Sequence, residues 1–415
     1  MTTKTELEYQ KREKRVWDAV HLQKPDRVPI VCLDEYYSLK QGGLTPADAY
    51  YDVDRASKVF IEQVTKNNWD MVSLFGNLPG KVGEDIGLIS NKWAGYNLPV
   101  NQEYQFVERE YMLADEYDLF LKDPGDFIIR TMWPRMATGL EAFGTFPSLT
   151  MLSHSYTPIF DLATLVGQSD VREMLEKLIS IGEKMNTYSL SLYETVERLA
   201  EKGQPSFIQV LAHAPFDWIS DYFRGIKGTM MDIYYRPEKL KAAIDLITPH
   251  MIEYTIQTTV EMDVNYVFIP LHRGSDPFMS NEQYAEFYWP SLKELLLALI
   301  NADITPVPYW EGSYSNRLEF LAELPPAKIW SHFDVVDIQK AKEMIGDVMV
   351  FWGNVPTQTL ISGTPKQTED EVKLLIDTFG DNGGLIIDGA AGIPKEAKPE
   401  NVMAMTEAVF KYGVY

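Results

Sequence analysis

The chain has 415 residues, 45% of them hydrophobic and 12% aromatic, with a formal charge of -22 at pH 7, ample material for a large core. So negative a balance argues against nucleic acid, whose phosphates call for lysine and arginine, and against anionic membrane surfaces. Cys32 is the single cysteine, which excludes an intrachain disulfide and a multi-thiolate metal centre.

The opening stretch, MTTKTELEYQKREKRVWDAV, reads as a charged amphipathic helix. It lacks the apolar region of a signal peptide, and no apolar run approaches the ~18 residues of a membrane span. The expectation is a soluble, cytoplasmic protein. Short β-rich runs bounded by turn residues then follow. They are RVPIVCL (27–33), DMVSLF (70–75), SFIQVLA (206–212), VNYVFIP (264–270), ITPVPYW (304–310), AKIWSH (327–332), VMVFWG (348–353) and GLIID (384–388).

Helical patterns separate these runs. One spans MSNEQYAEFYWPSLKELLLALINA with Ser280 as N-cap, and another closes the chain between Pro399 and Gly413. Eightfold strand–helix alternation predicts an α/β fold, a (β/α)₈ TIM barrel in one domain over 1–415. The spacing breaks once, between the second and third strands. There the segment 78–204 holds YQFVEREYML, read as part of a hairpin, and the helix SDVREMLEKLISIGEKMNTYSLSLYETVERLA. An insertion at this place is expected to sit beside or over the barrel mouth, as a lid, a homodimer interface or a docking surface.

Barrel chemistry sits at the C-terminal ends of strands. Strand one is followed by Asp34, Glu35, Tyr36 and Tyr37; strand two by Gly76–Asn77, with Phe75 just before them; strand three by His213. Strand four leads to His272, Arg273 and Asp276, and strand five to Tyr309, Trp310 and Glu311 in PVPYWEGSY. Strand six leads to His332 and Asp334, strand seven to Asn354, and strand eight to Asp388. Three of the six histidines stand at such ends, a convergence typical of active sites.

Plainer readings accompany each. A strand-end histidine can anchor a loop, Asp34 can cap the next helix or meet a lysine, and Asn354 can be an N-cap. Glu311 can belong to an ion pair with Arg273 or Arg317, although a buried pair adds little stability. The aromatic strand ends suit an aromatic ring by stacking or a quaternary ammonium by cation–π contact. Glycine-rich phosphate loops, HExxH and GxSxG are absent from the sequence.

Several segments resemble the uroporphyrinogen decarboxylase superfamily, in particular its corrinoid-dependent methyltransferase branch. RVWDAVHLQKPDRVPI resembles the opening helix and first strand. DPFMSNEQYAEFYWPSLKELL resembles the helix after strand four, and GNVPTQTLISGTPKQTEDEVKLLI with GGLIIDGAAGIPKEAKPENVMAM the closing quarter. The likeness covers residues 10–40 and 205–415. Porphyrinogen decarboxylases of this kind keep an arginine-rich loop after strand one, where this chain has the acidic, aromatic CLDEYYSLKQGG.

Thiol-activating members of the branch hold zinc through a His-x-Cys after strand five and a cysteine after strand eight. Those places fall on Tyr309, Glu311 and Ala391 here, so thiol activation is not expected. The resemblance instead implies removal of a methyl group from a small donor, an O-methyl aromatic ether or a methylamine, and its transfer to a corrinoid carried on a partner protein.

The residues nominated for catalysis are Glu311, Tyr309, Asp34 and Asp388. Those nominated to hold substrate are Tyr36, Phe75, His213, His272, Arg273, Trp310, His332 and Asn354. Glu311 is read as a proton donor to the leaving group or, with His272 and His332, as a zinc ligand. A lyase acting on a non-porphyrin carboxylic acid, with Asp34 or Asp388 stabilising a developing cation, is the other reading.

Overall fold

A computed structural model describes residues 3–75, 78–207 and 210–415. Its parallel strands are β1 (Val31–Cys32), β2 (Met71–Ser73), β3 (Ser206–Phe207), β4 (Tyr266–Leu271), β5 (Thr305–Ser313), β6 (Trp330–Val335), β7 (Val350–Trp352) and β8 (Leu385–Ile386). They form a three-stranded run β1-β2-β3 and a five-stranded run β4 to β8. Parallel bridges Leu211↔Phe268 and Ile30↔Ile387 join the runs at both seams, so the ring closes as a TIM barrel. Gly76–Asn77 after β2, and part of the third predicted strand, lie outside the described residues.

Alternation along each strand sorts side chains into two layers. The barrel interior takes Val31, Phe207, Tyr266, Phe268, Val307, Trp330, Val350, Trp352 and Ile386. The opposite faces, with Trp310 and Phe333 among them, pack against the surrounding helices. The helix Lys4–Val20 closes the bottom of the barrel by placing Val16, Ala19 and Val20 against the interior cluster. It is fixed there by Asp70, which is fully buried just before β2. Asp70 accepts from Arg15 Nη1 at 2.5 Å, from Arg27 Nη1 and Nη2 at 2.8 Å, and from the Ile30 amide at 2.8 Å.

Between β2 and β3 the chain makes an antiparallel ribbon, Asn91–Lys92 against Gln105–Phe106, and a run of helices ending in Ser169–Ala200. The expected Ser280 cap is present, its hydroxyl accepting from Gln283 N at 3.2 Å, and Pro399 opens the final helix, Pro399–Tyr412. Among the described residues no helix is long and apolar enough to cross a membrane.

Candidate active site

Strand register assembles the site in layers. Pairings Pro270↔Tyr309, Tyr309↔His332, Trp352↔His332 and Trp352↔Ile386 put Pro270, Tyr309, His332 and Trp352 at one level. Two residues further along each strand, His272, Glu311, Asp334, Asn354 and Asp388 stand at the C-terminal end. Trp310 pairs with Phe333 and Ser313 with Val335, so Glu311 and Gly312 together oppose Asp334 in a β-bulge. Gly312 has φ +80°, a left-handed conformation that glycine adopts without strain. Its amide donates to Asp334 Oδ2 at 2.9 Å. Gly312→Ala adds that backbone strain and a Cβ 3.1 Å from Ser275. The expected loss is about 1–2 kcal/mol, measurable by thermal denaturation, with Glu311 displaced and activity reduced.

The bulge aims Glu311 into a cleft of about 630 Å³ whose walls include Tyr104, Phe106, Tyr222, His272, Arg273, Phe278 and Asp334. The Glu311 side chain is 50% exposed, and its Oε2 lies 3.8 Å from His272 Nε2. It is therefore not the buried ion-pair member that the apolar strand suggested. Arg317 turns away to bond the Gly274 and Met279 carbonyls. Desolvation raises the Glu311 pKa, Asp334 and Asp221 push the same way, and His272 and Arg273 oppose them.

His272 Nδ1 meets Asp221 Oδ2 at 2.5 Å. Burial alone would lower the His272 pKa, but Asp221, Asp217 and Glu311 lift it to about 9, so the ring carries a proton at neutral pH. Arg273 Nη2 lies 2.9 Å from both Asp221 Oδ1 and Glu108 Oε1. Beneath them Asp217, fully buried, accepts from the amides of His272 (2.8 Å) and Arg273 (3.0 Å) and from Tyr288 Oη (2.7 Å). Both cations of the cleft are thus bound to carboxylates of their own.

The remaining nominated residues scatter around this centre. Tyr309 lies inside the barrel against Phe268 and His332, with ring centroids 6.3 and 4.8 Å away. His332 is fully buried with Nε2 3.5 Å from Asp388 Oδ2. Asp388 in turn accepts from the amides of Leu33 and Gly389 at 3.0 and 2.7 Å, stitching β8 to β1. Burial raises the Asp388 pKa, and His332 partly offsets it.

Asp34 stands two residues before Tyr36, the N-cap of the helix Tyr37–Gln41, and accepts from Ser38 N in its first turn at 3.2 Å. Burial pushes its carboxyl from 3.8 up to about 6. The folded state therefore keeps this proton after the unfolded chain has lost it. This contribution to stability is full below pH ~4 and declines by roughly 2–3 kcal/mol as pH rises to 6. Asp34→Asn is expected to flatten that part of the stability–pH curve, read by chemical denaturation between pH 4 and 7.

Several expectations need correction. Phe75 packs edge-on to Phe60 in the core at 5.3 Å. Trp310 faces the helix layer, its Nε1 donating to Ser331 Oγ at 3.1 Å. Tyr36 is buried and donates to Tyr50 Oη at 2.9 Å. None of the three lines the cleft. Asn354 is not an N-cap: its amide donates to the Asp334 carbonyl at 3.1 Å, and Pro356 precedes the helix Thr357–Ser362.

His213 borders a separate apolar cavity, and its Nε2 lies 3.3 Å from Oη of the cleft residue Tyr222. Burial, then His272, lower its pKa to about 4. Nor do Glu311, His272 and His332 assemble a zinc centre. Among the described residues no three His, Cys, Asp or Glu side chains are placed to hold a metal ion. His332 faces Asp388, whereas the other two face each other.

Some cleft residues escaped sequence reasoning although signals for them exist. Asp217 and Asp221 lie four apart on the helical turns after β3, the spacing that puts two side chains on one face. Tyr104, Phe106 and Glu108 are spaced two apart in and around the strand Gln105–Phe106, the spacing of side chains that share one face of an extended chain.

A closed parallel barrel with acid, imidazole and aromatic groups gathered at its C-terminal end has the anatomy of a barrel enzyme. Comparison with known proteins makes the class specific. Residues 129–412 match the family model described as Uroporphyrinogen decarboxylase (URO-D), and the chain belongs to that family. The match begins within the segment between β2 and β3 that the sequence resemblance had left out.

Curated relatives include uroporphyrinogen decarboxylases of Pseudoalteromonas atlantica and Pseudoalteromonas translucida. The first is 32% identical over 78 residues, 19% of this chain and 22% of that one. The second is 29% identical over 183 residues, 43% and 50% of the two chains. The chain thus spans half or less of their length. A uroporphyrinogen decarboxylase of Rickettsia felis is 22% identical over 295 residues, 68% of this chain and 82% of that one. Among solved structures, a methyltransferase from Methanosarcina mazei superposes with a TM-score of 0.56 at 15% identity, covering 97% of this chain and 98% of that one. At such identity the likeness is one of fold.

Proposed function

We propose that this chain is a cytoplasmic methyltransferase that removes a methyl group from a small donor, an O-methyl aromatic ether or a methylamine, and passes it to a corrinoid carried on a separate protein. The observation that carries the reading is the acidic, aromatic cleft whose own cations, His272 and Arg273, are already held by Asp221 and Glu108. A substrate bearing many carboxylates would meet repulsion there from Glu311 and Asp334. Cys32, the single cysteine, is fully buried, and burial raises its pKa, which supports an acceptor carried on another molecule over a thiolate of this chain.

The partner's corrinoid supplies the nucleophile for the methyl carbon when it is docked. The chain's own residues bind the donor and set the charge at its leaving atom. An ether oxygen leaves well only when protonated, which Glu311 could supply through its raised pKa. An ammonium nitrogen needs only a counter-charge, which ionised Glu311 provides. In this reading the segment 78–204 acts as a lid, since its Tyr104 and Phe106 line the cleft.

The names of the relatives favour a second reading, decarboxylation of a non-porphyrin acid, although the negative cleft counts against a carboxylate substrate. The test is methyl transfer to cob(I)alamin from a panel of methoxyarenes and methylated amines. Turnover of at least one donor is expected. Silence across the panel, with carbon dioxide released from a candidate acid, would replace the reading by the second.

A further inference from the structure

The cleft holds more negative charge than its own cations answer. Among the described residues no lysine or arginine pairs with Glu311 or Asp334. The nearest positive group to Glu311 is the His272 ring at 3.8 Å, already held by Asp221 at 2.5 Å. The Asp334 side chain accepts the Gly312 amide. Tyr104, Phe106 and Tyr222 line the same cavity as these carboxylates. Phe106 and Tyr222 meet edge to face with centroids 5.7 Å apart, and Tyr104 is 53% exposed. Rings beside carboxylates are the means by which proteins recognise methylated ammonium ions, through the negative faces of the aromatic groups. Phe278 already carries such a charge, the Arg273 guanidinium lying 5.5 Å from its centroid.

We propose that the methyl donor of this cleft is a small quaternary or methylated ammonium ion, held between the rings of Tyr104, Phe106 and Tyr222 and the carboxylates of Glu311 and Asp334. The inference rests on the methyltransferase reading for the word donor, but the binding site stands on its geometry alone. It also fixes the state of Glu311. When a quaternary ammonium gives up a methyl group, the C–N bond pair stays on nitrogen and a neutral tertiary amine departs. The new bond to the methyl carbon takes its electron pair from the reduced corrinoid of the partner. No proton is consumed, so Glu311 acts as an ionised counter-charge rather than as an acid.

Calorimetric titration of the full chain with choline and with tetramethylammonium tests the site. The comparators are 3,3-dimethylbutan-1-ol, the neutral isostere of choline, and 4-methoxybenzoate. Choline is expected to bind at least about tenfold more tightly than the isostere, the order of a desolvated cation–π and ion contact. Glu311→Gln and Asp334→Asn should each remove most of that preference and leave isostere binding unchanged, with circular dichroism verifying the fold. Equal binding of choline and the isostere, tighter binding of 4-methoxybenzoate, or a preference untouched by both substitutions overturns the proposal. Choline binding without methyl transfer from any donor upholds the cation site and ends the methyltransferase reading. Methyl transfer from a methoxyarene without choline binding does the reverse.

Discussion

For the proposed methyl transfer, replacing Glu311 with glutamine is expected to lower kcat/KM by about a hundredfold with the fold intact. The bulge places this carboxylate in the cleft half-exposed, so little packing depends on it. A hundredfold is the low end of what a positioned acid or base contributes, and it also corresponds to losing one desolvated charge contact of about 2.7 kcal/mol.

The pH profile separates the two roles. The Glu311 carboxyl titrates above its ordinary value, raised by burial, Asp334 and Asp221 against the pull of His272 and Arg273. If it serves as counter-charge, kcat/KM rises with pH as it ionises. If it serves as acid, kcat/KM falls over the same interval. Glu311→Gln should abolish whichever limb is present. His272 keeps its proton to about 9, so a limb on the acid side of neutrality does not belong to it. Unchanged kcat/KM in Glu311→Gln would remove this residue from the chemistry.

Asp70→Ala is expected to cost about 3–5 kcal/mol of stability, the usual consequence of deleting one member of a buried charge cluster. Arg15 is 5% and Arg27 8% exposed, and both guanidiniums spend hydrogen bonds on Asp70. Without it Arg27 loses its carboxylate, Arg15 retains only Asp26, and the Ile30 amide loses its acceptor. The cluster lies at the N-terminal face of the barrel, so the effect should appear in denaturation midpoints rather than in substrate binding. Asp26→Asn is the control. Asp26 also bonds Arg15 but is half-exposed, and about 1 kcal/mol or less is expected there. A cost for Asp70→Ala no larger than that of the control would show that the cluster does not secure the helix Lys4–Val20.

The barrel was legible because its signal is local and repeated. Eight β-rich runs separated by helical patterns survive errors in any one boundary, and the runs foreseen overlap the strands found. The Ser280 cap and the Pro399 start were readable for the same reason, since each depends on a few adjacent residues. The site was legible only in part. Sequence position placed Tyr309, Trp310 and Glu311 together at a strand end, but alternation sends Trp310 to the helix layer and its neighbours inward. Val307, Tyr309 and Glu311 share a face, a period-two signal that could have separated them.

Phe75 and Tyr36 were drawn to the mouth by position alone, whereas their partners, Phe60 and Tyr50, come from the helices between β1 and β2. Nothing local announces the Glu108–Arg273 pair, whose members are 165 positions apart. Long-range ion pairs of this kind carry no period and no motif, so the link that joins the segment around Glu108 to Arg273 was out of reach, although the spacing of Tyr104 and Phe106 was readable.

That pair has a consequence for how this site can diverge. A single guanidinium joins the ribbon to Asp221, and Asp221 holds the His272 proton. A substitution at Glu108 would redistribute Arg273 towards Asp221 and so weaken the hold on that proton, altering the acidity of the cleft without touching any group that meets the donor. Exchange at Glu108, on a surface segment, is thus a route by which the acidity of the cleft can shift while the strand-end residues are unchanged.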